Sequence, residues 1–419
     1  MTFNGTTILC LMLAAFSVVR VRQRSKSLII RCKFSSLKAL ERFQKVCAQN
    51  SVKVLANDSP NEGTYGFVWT SSRRSPYVRT ECWNRLCGMK CLEDKRIMGE
   101  ILQSTLEEFY LESQSLSDAK ALASWRKHIN STHGKKRRWV LKDARSNGGT
   151  GLWFFSLDDS AAYEAVLAAV QAEKSEAGYT VQEYLPGRPL LWHGRKFHFR
   201  VAAVLTGDGR AFLHRCAFVH PANSKYTDDA LQITNASVHI TNLCVNLALN
   251  QPERFVGEIR EDLINDRPEL WVKMLQLWST TVLQLRPFML IQRSKSDFEY
   301  IGLDLIANDG GRVYLIEANC PPAVSSATGF AHAENMHDEI LGDLFRGIVL
   351  PKVLGGAEGQ PQPHWWGGFV ECTPNYAGCA PIEYTGDYHQ AQARCDVAIM
   401  RYLSKRRREN CKVQEILHA

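Results

Sequence analysis

The stretch that decides the fold runs from Glu299 to Asn319 and reads EYIGLDLIANDGGRVYLIEAN. Two runs rich in Ile, Leu, Val and Tyr flank a glycine-containing turn, which predicts a strand, a turn and a second strand. Glu317 and Asn319 share one strand face, and Asp304 on the partner strand can reach the same place. Oxygen ligands without thiolate or imidazole indicate a hard cation such as Mg2+ that holds nucleotide phosphates. The alternative is an edge hairpin with solvated acids, which fits Asp304 alone better than it fits Glu317 inside an apolar strand.

Composition places the chain among soluble globular proteins. It has 419 residues, 45% of them apolar and 22% charged. This length allows roughly two or three packed subdomains. The composition excludes a fibrous or wholly disordered protein. Thirteen cysteines occur without a repeated metal-binding spacing, so we expect mostly reduced thiols in a cytosolic protein and no zinc site.

The N-terminal segment combines an apolar run with a basic stretch. Residues 8–19 are too few for a membrane span, which needs roughly 20 residues. Basic residues follow this run instead of preceding it, so a cleaved signal peptide is the minor alternative. Between Met1 and Val54 the chain has ten Lys or Arg residues and a single acid, Glu41. Such a segment suits an acidic partner or an anionic surface, or it is a poorly ordered basic extension.

Hydrophobic periodicity predicts the organisation of the rest. It predicts helices over residues 37–54 and 95–114, with an interruption rich in Gly, Pro and Ser over residues 57–75. A polar, basic connector over residues 127–138 is the best candidate for a domain boundary. Strands and helices alternate after it, which favours an α+β core.

A lysine on a predicted strand precedes a glycine-rich turn. The strand runs from Trp139 to Lys142, and Gly148, Gly149 and Gly151 follow it. Because glycine has no Cβ, backbone N–H groups can close over phosphate oxygens there. The turn is not a P-loop, since no Gly-Lys-Ser/Thr follows. An ordinary Asn-Gly-Gly turn is the alternative.

Two further predicted strands suit a nucleotide. Residues 179–185 end at Pro-Gly and suit a segment that bonds an adenine edge. In the next strand Lys196, His198 and Arg200 share one face, because strand side chains alternate. Such groups repel one another in a plain sheet, and an anion such as a nucleotide triphosphate would relieve the repulsion. The Gly-Asp-Gly turn at residues 207–209 then predicts a hairpin.

In chain order these motifs resemble the tubulin tyrosine ligase and ligase-like family, a branch of the ATP-grasp enzymes. The resemblance covers roughly residues 139–356 and includes His-Ile-Thr-Asn at residues 239–242, for which a hydrogen-bonded turn is the alternative. It implies an ATP-grasp-like α+β fold with a small N-terminal domain. The expected domains are a basic and apolar extension (1–36), an N-terminal domain (37–134), a central ATP-grasp domain (135–195), a C-terminal ATP-grasp domain (196–356) and a C-terminal extension (357–419).

The resemblance also implies roles for single residues, with ATP and Mg2+ as cofactors. Lys142 and Lys196 would contact the phosphates, and Ile316 would pack below the base. The residues implied in binding ATP are Lys142, Gln182, Glu183, Leu185, Lys196, His198, Arg200, His220, His239, Ile240, Thr241, Asn242 and Ile316. The residues implied in catalysis are Lys196, Arg200, Thr241 and Asn242. The implied ligands of Mg2+ are Asp304, Glu317 and Asn319.

Two positions depart from the family pattern. His198 stands where the family has an acid, and His220 stands where it has a fixed arginine. A neutral imidazole cannot supply the charge of a guanidinium at pH 7. A weak enzyme, an enzyme with an altered acceptor and a non-catalytic relative that binds nucleotide or cytoskeleton therefore all stay open. If both imidazoles face the phosphates, nucleotide affinity should strengthen between about pH 8 and about pH 6 as they gain protons.

The function implied by the resemblance is an ATP- and Mg-dependent ligase that joins a free amino acid to a carboxylate of a protein tail through an acyl phosphate. The resemblance implies tubulin or another acidic tail as the acceptor. The net charge of +8 and the basic runs at residues 135–138 and 405–408 fit such a tail, although basic runs are usually solvated faces. The motif Asn319-Cys-Pro-Pro-Ala is closer to tyrosine-adding members than to glutamylases and glycylases. A small-molecule carboxylate is a further alternative. We expect a cytoplasmic protein associated with the cytoskeleton, a cilium or a flagellum, and no nucleic-acid or membrane partner.

Overall fold

The computed structural model describes most of the chain between residues 28 and 418. The described residues are 28–56, 65–70, 80–102, 108–132, 138–143, 151–173, 178–228, 235–248, 258–289, 297–326, 329–354, 365–374 and 388–418. The apolar run of residues 8–19 and the glycine-rich loop of residues 144–150 lie outside them. Within this described part, no helix has the length and apolarity needed to cross a bilayer.

An N-terminal parallel sheet is built around one helix. Its strands are β1 (Leu28–Phe34), β2 (Val52–Ala56), β3 (Tyr65–Trp69) and β4 (Thr80–Trp83), in the order β2-β1-β3-β4. Helix α1 (Leu37–Gln49) connects β1 to β2 and begins where the Ser36 hydroxyl accepts the N–H of Ala39 at 3.3 Å. Leu40, Phe43 and Cys47 recur at helical spacing and are buried, so this face holds the helix on the sheet.

Two sequence predictions are wrong in this region. The helix predicted over residues 37–54 ends at Gln49, because β2 alternates between a buried Val52 and an exposed Lys53, which is the pattern of a strand. The extension predicted over residues 1–36 contains β1, whose Ile30, Cys32 and Phe34 side chains are buried. The N-terminal sheet therefore begins at residue 28.

Helices α2 (Lys90–Glu93) and α3 (Lys95–Leu102) lead into a second, antiparallel sheet. Its strands are β5 (Ser113–Leu116), β6 (Arg138–Asp143), β7 (Leu152–Ser156) and β8 (Tyr179–Glu183), in the order β5-β8-β6-β7. Helices α4 (Ala119–Thr132) and α5 (Ser160–Glu173) accompany it. Trp125 of α4 packs edge-on against Trp139 of β6 with ring centroids 4.8 Å apart, so α4 belongs to the core of this sheet.

Three further predictions are corrected by this sheet. The helix predicted over residues 95–114 ends at Leu102, and the connector predicted over residues 127–138 is helical up to Thr132. Residue Ser113 pairs with Gln182, and this contact between distant parts of the chain makes β5 a strand. The sheet therefore extends across the boundary predicted between residues 134 and 135. The division into central and C-terminal ATP-grasp domains stays a prediction.

A large sheet carries the decisive hairpin. Its strands are β9 (Leu191–Trp192), β10 (Arg195–Thr206), β11 (Ala211–Pro221), β12 (Ile259–Asp262), β13 (Phe298–Ala307), β14 (Val313–Asn319), β15 (Trp365–Trp366) and β16 (Phe369–Glu371). The order is β14-β13-β10-β11-β16-β15, with β9 on β10 and β12 on β11. The antiparallel pairs β10–β11 and β13–β14 confirm both predicted hairpins, and Asp304 lies opposite Glu317.

Side-chain alternation along β10 separates the core from the cleft. Phe197, Phe199 and Val201 are buried in the main apolar core, as the period-two pattern predicts. The helices outside the first two sheets are α6 (Ala236–His239), α7 (Leu243–Ala248), α8 (Leu263–Asp266), α9 (Pro268–Leu285), α10 (Ala331–Leu344), α11 (Leu350–Val353) and α12 (Tyr388–His418). A 3-10 turn (Arg286–Phe288) and a π-helical turn (Phe345–Val349) complete the elements found among the described residues. Helices and sheets together confirm the α+β class.

The C-terminal extension is tied to the large sheet. Strand β16 pairs with β11, placing Phe212 opposite Glu371. Arg210 donates to both carboxylate oxygens of Glu371, at 3.0 and 2.7 Å. Tyr402 of α12 packs against Phe288 with ring centroids 5.1 Å apart. Parts of residues 357–419 therefore contribute to the fold that holds the cleft.

A buried ion pair joins the N-terminal part of the chain to the large sheet. Arg85 Nη1 and Glu299 Oε1 are 2.9 Å apart, and the two side chains are 1% and 0% exposed. The second Glu299 oxygen accepts the N–H of Leu86 at 2.9 Å, and Arg85 Nη2 donates to the carbonyl of Thr70 at 2.9 Å. Because water reaches neither charge, each depends on the other for compensation.

We expect Glu299→Ala to lower the free energy of unfolding by about 3–5 kcal/mol, because it leaves the Arg85 charge buried without its carboxylate. Chemical denaturation followed by circular dichroism measures the change. The control is Glu41→Ala, which removes an exposed pair with Lys38 at 3.6 Å and should change stability by no more than about 0.5 kcal/mol. Equal effects of the two substitutions would contradict a structural role for the buried pair.

Candidate active site

A deep cleft lies between the small antiparallel sheet and the large sheet. About 880 Å³ of space lies between its walls, including the part that is open to solvent. The predicted site residues that line it are Lys142, Gln182, Glu183, Leu185, Lys196, His198, His239, Ile240, Thr241, Asn242, Asp304, Ile316 and Glu317. The structure therefore brings together residues from six separate parts of the sequence.

One end of the cleft is an apolar slot. Val140 and Phe154 line it from the small sheet, while Ile306 and Ile316 line it from the large sheet. Leu185 belongs to the same apolar cluster. Two apolar walls that face each other can accept a flat heterocycle, since both faces of the ring would leave water.

The segment after β8 borders this slot. The N–H of Glu183 donates to the carbonyl of Glu112 at 2.7 Å, and the N–H of Tyr184 donates to the carbonyl of Arg138 at 2.7 Å. These two donors are therefore engaged within the protein. A heterocycle that forms hydrogen bonds with this segment therefore has to bond the backbone carbonyl groups of the segment or the N–H of Leu185.

Two buried lysines face the middle of the cleft. Lys142 Nζ donates to Gln182 Oε1 at 2.6 Å, and Lys196 Nζ donates to the carbonyl of His239 at 3.0 Å. Lys196 also lies 4.3 Å from the ring centroid of Tyr184. Burial, reinforced by Lys95, lowers the pKa of Lys142 to about 8. Burial, reinforced by Lys142, lowers the pKa of Lys196 to about 7, so both ammonium groups are poorly solvated and suited to an anion.

The hairpin β13–β14 presents carboxylates to the same region. Asp304 forms a bidentate pair with Arg200, with Arg200 Nη2 at 2.8 Å from Asp304 Oδ2. Glu317 Oε2 lies 3.5 Å from Lys95 Nζ. Each carboxylate is thus paired with a cation from another strand or helix.

The residues proposed as Mg2+ ligands fit this ion. No group of three or more His, Cys, Asp or Glu with metal-binding geometry occurs in the described part of the chain. Mg2+ commonly uses one or two carboxylates and takes its other ligands from water and phosphates, so Asp304 and Glu317 suffice. Asn319 lies two residues along β14, and its buried Nδ2 lacks a hydrogen-bond partner among the described residues. This nitrogen is a donor, so its partner would be an acceptor such as a phosphate oxygen, while only the amide oxygen could bind the cation.

His198 and His220 lie directly opposite each other on β10 and β11, with ring centroids 4.8 Å apart. His198 Nδ1 lies 2.7 Å from the Thr241 hydroxyl. Burial, together with Arg200, lowers the pKa of both imidazoles well below 6.5. The predicted gain of protons between about pH 8 and about pH 6 is therefore wrong, because desolvation and neighbouring cations keep both rings neutral there.

Three predicted residues do not line the cleft. Arg200 and His220 line a second cavity, which begins behind the Arg200–Asp304 pair. Asn319 lines neither cavity. Sequence reasoning also missed Lys95 and Glu258, which carry charge at the first and second cavity. Lys95 begins helix α3 far upstream, and Glu258 has no neighbouring motif, so only the fold places them there.

Comparisons with known proteins bear on the family of this chain. A family model described as the tubulin-tyrosine ligase family matches residues 72–355, which is more than half of the chain. A probable alpha-tubulin polyglutamylase of Tetrahymena thermophila, Ttll1, is 23% identical over 233 residues, covering 51% of this chain and 54% of that protein. A probable tubulin polyglutamylase of Caenorhabditis elegans, ttll-9, is 25% identical over 210 residues, covering 45% of this chain and 47% of that protein.

A further relative, tubulin glycylase 3E of Tetrahymena thermophila, is 22% identical over 218 residues, covering 47% of this chain and 15% of that protein. The chain spans about half the length of the first two relatives. The matched range includes both the glycine-rich turn and the decisive hairpin, and it exceeds half of the sequence. The chain therefore belongs to the tubulin-tyrosine ligase family.

Proposed function

We propose that this chain is an ATP- and Mg-dependent ligase that joins a free amino acid to a carboxylate of a protein tail, with tubulin as the acceptor. One observation carries the proposal: buried cations and paired carboxylates converge in a single cleft beside an apolar slot. The names of the relatives, which act on tubulin, support the choice of acceptor. The acidic tail of such an acceptor would suit a chain of net charge +8.

The cleft offers separate places for the parts of a nucleotide. The adenine would lie in the apolar slot, with Ile316 on one side. The triphosphate would lie along Lys142 and Lys196, whose ammonium groups would regain full charge beside it. His239, Ile240, Thr241 and Asn242 line the wall next to these lysines and would border the nucleotide. The hydroxyl of Thr241 is already oriented by its contact with His198.

Asp304, Glu317 and Asn319 would hold Mg2+, which neutralises phosphate charge when bound. Lys95 and Arg200, the present partners of the two carboxylates, remain beside them as further positive charge. An anionic acceptor carboxylate can approach the triphosphate only where such cations reduce the repulsion. Arg200 lies at the border of the second cavity and would orient that acceptor.

The proposed reaction has two steps that balance. An oxygen of the acceptor carboxylate attacks the γ-phosphorus, the bond to the β–γ bridging oxygen breaks, and ADP leaves. The amine nitrogen of the amino acid then attacks the carbonyl carbon of the acyl phosphate. The new C–N bond forms as the bond between the carbonyl carbon and the oxygen of the phosphate group breaks. Inorganic phosphate leaves and takes up the proton lost by the amine. Positioning and charge stabilisation are the contributions of the protein in both steps.

The proposal also concerns which amino acid is added and where in the cell the protein acts. The tyrosine-adding preference stays a prediction, since the relatives named above are polyglutamylases and a glycylase. Association with microtubules would follow from tubulin as acceptor. The non-catalytic alternative is separated from the ligase by a turnover assay.

We expect purified tubulin, incubated with the protein, Mg-ATP and single amino acids, to gain the mass of an amino acid residue. Intact-protein and peptide mass spectrometry measures this gain. Lys142→Ala and Arg200→Ala should each lower the rate by about 10²-fold or more, because each removes a cation near the transferring phosphoryl group. Glu339→Gln, in an exposed pair with Arg260, is the matched control. Absence of any added mass with folded protein would favour the non-catalytic alternative.

We expect Glu317→Gln and Asn319→Ala to weaken Mg-ATP binding, because both remove a proposed metal ligand. Thermal-shift titrations with Mg-ATP, and with ATP in the presence of a chelator, measure the effect as lost stabilisation. Both variants should bind ATP without metal as the wild type does. Equal stabilisation of wild type and variants by Mg-ATP would remove these residues from the metal site.

We expect Mg-ATP affinity to fall as pH rises from about 6 to about 9, with the lysines as the cause. Free Lys196 and Lys142 lose protons near pH 7 and pH 8, whereas both would keep them beside phosphate. Binding should therefore take up protons, which calorimetry in buffers of different ionisation enthalpy detects. Lys196→Arg should flatten the lower part of the profile, since arginine stays charged. A profile that is flat in the wild type would place the phosphates elsewhere.

A further inference from the structure

Arg42 of helix α1 is a buried arginine that contacts two other parts of the chain. Its side chain is 7% exposed, and arginine is rarely buried unless its charge is paired. Nε donates to Asp338 Oδ1 and Nη2 donates to Glu334 Oε2, each at 2.6 Å, and both carboxylates belong to helix α10. Nη1 donates to the backbone carbonyl of Val324 at 2.7 Å. The guanidinium therefore binds α10 and, separately, the loop that leaves the decisive hairpin.

This loop, residues 320–326, adjoins two residues of the proposed site. It begins directly after Asn319, the last residue of β14 and a proposed Mg2+ ligand. Pro322 of the loop packs over Gly302 beside Arg200, since a Cβ at residue 302 would lie 2.8 Å from Pro322 Cβ and 3.0 Å from Arg200 Cδ. Movement of the loop would therefore reach both the metal ligand and the guanidinium that would orient the acceptor.

Glu334 holds the far end of the same loop. Its Oε1 accepts the N–H of Ser326 at 3.0 Å, while its Oε2 accepts from Arg42. The Ser326 hydroxyl donates to the carboxylate of Glu258, which is buried. Arg42 and Glu334 therefore act together on the loop, one at a backbone carbonyl and the other at a backbone N–H.

The geometry at residue 42 requires an arginine. Three N–H donors of one planar group diverge to three oxygen atoms, two of which belong to carboxylates, and charge-assisted hydrogen bonds are the stronger ones. A lysine would keep the charge but would present a single ammonium group on a flexible stem. Lys45, about one turn further along α1, is 66% exposed and lies 3.4 Å from Asp338. Lys45 therefore joins the same two helices, and no bond from it to the loop occurs among the described residues.

Arg42 comes from a part of the chain that the site motifs do not include. The family model matches residues 72–355, and α1 lies before them. Arg42 lines neither of the two cavities described above. Any effect of Arg42 on the proposed reaction must therefore pass through loop 320–326.

We propose that Arg42 is a positioning residue for the ligase: by fixing loop 320–326 it places the Asn319 amide oxygen for Mg2+ and the Arg200 guanidinium for the acceptor. This inference rests on the proposed ligase function and extends its site to the N-terminal sheet. If Arg42 only joined α1 to α10, its replacement would lower stability and leave metal binding unchanged. Positioning predicts a change in metal binding as well, since residues that orient metal ligands affect metal affinity by about 10–100-fold.

The first measurement is hydrogen–deuterium exchange without any ligand, read by mass spectrometry of peptides that contain loop 320–326. We expect the loop amides of Arg42→Lys to exchange at least about tenfold faster than those of the wild type, because loss of a charge-assisted bond makes local opening easier. Lys45→Ala is the matched control and should exchange as the wild type does. Wild-type exchange of the loop in folded Arg42→Lys would overturn the inference.

The second measurement is the Mg2+ dependence of nucleotide binding. Mg2+ is titrated into protein with a fluorescent, non-hydrolysable ATP analogue, at a temperature where circular dichroism shows the variants folded, so a loss of stability alone does not alter the result. We expect the Mg2+ concentration for half of the metal-dependent binding to rise about tenfold or more in Arg42→Lys and to stay unchanged in Lys45→Ala. Binding of the analogue with a chelator should be equal in all three proteins. An unchanged Mg2+ response in Arg42→Lys would overturn the inference even where the loop exchanges faster.

Glu334→Ala keeps the test decisive if Arg42→Lys does not fold. Glu334 is 29% exposed, and its truncation removes the acceptor of the Ser326 N–H and of one Arg42 donor without replacing a buried residue. Its Mg2+ response should shift in the same direction as that of Arg42→Lys. A wild-type response in Glu334→Ala would then overturn the inference.

Failure of the proposed function is distinguishable from failure of this inference. If the wild type itself shows no Mg-dependent binding of the analogue, the proposed metal site is wrong, and both proposals are overturned together. If the wild type shows such binding and Arg42→Lys matches it, the metal site stands and only the role of Arg42 is overturned.

Discussion

The pairing of Arg200 with Asp304 holds together the strands on which both cavities depend. These two residues lie directly opposite each other on β10 and β13, and Asp304 in turn lies opposite Glu317 on β14. Gly302 makes the arrangement possible, because a Cβ at this position would lie 3.0 Å from Arg200 Cδ and 2.8 Å from Pro322 Cβ. A side chain at residue 302 would therefore displace the guanidinium from the wall between the cavities.

The cleft also has an imbalance of charge that favours a polyanion. Lys142 and Lys196 are buried and face neutral partners, while the two carboxylates of the hairpin are already paired with Arg200 and Lys95. The pKa of each lysine is lowered because burial destabilises its charged form. A triphosphate beside both lysines would stabilise their charged forms, so the burial that lowers these pKa values also favours a polyanionic ligand.

The sequence predicted those elements whose pattern lies within a short stretch of chain, and it failed where the structure depends on contacts between distant segments. Period-two alternation placed Lys196, His198 and Arg200 on one face of β10, and the flanked turn gave the β13–β14 hairpin with Asp304 opposite Glu317. The predicted helix over residues 95–114 included the first two residues of β5, because the partner of this strand, β8, lies far along the chain.

The charges at the cleft were harder to predict. Lys95 and Glu258 were missed, because only the packing of distant elements brings them to the cavities. The titration of the histidines was also predicted wrongly. Burial decides that titration, and a sequence pattern does not contain burial.

The pairing of strands β10 and β11 explains how the two departures from the family pattern are related. Because His198 and His220 are cross-strand partners, an acid and an arginine at these positions would lie opposite each other and could form an ion pair. Replacing both by neutral imidazoles removes one negative and one positive charge, so the net charge of the wall is unchanged. The cations at residues 142, 196 and 200 keep their places, and the rings pack edge to face instead. The two substitutions therefore compensate each other in charge. The lost positive charge is that of the residue at position 220, which lines the second cavity and not the cleft that would hold the nucleotide.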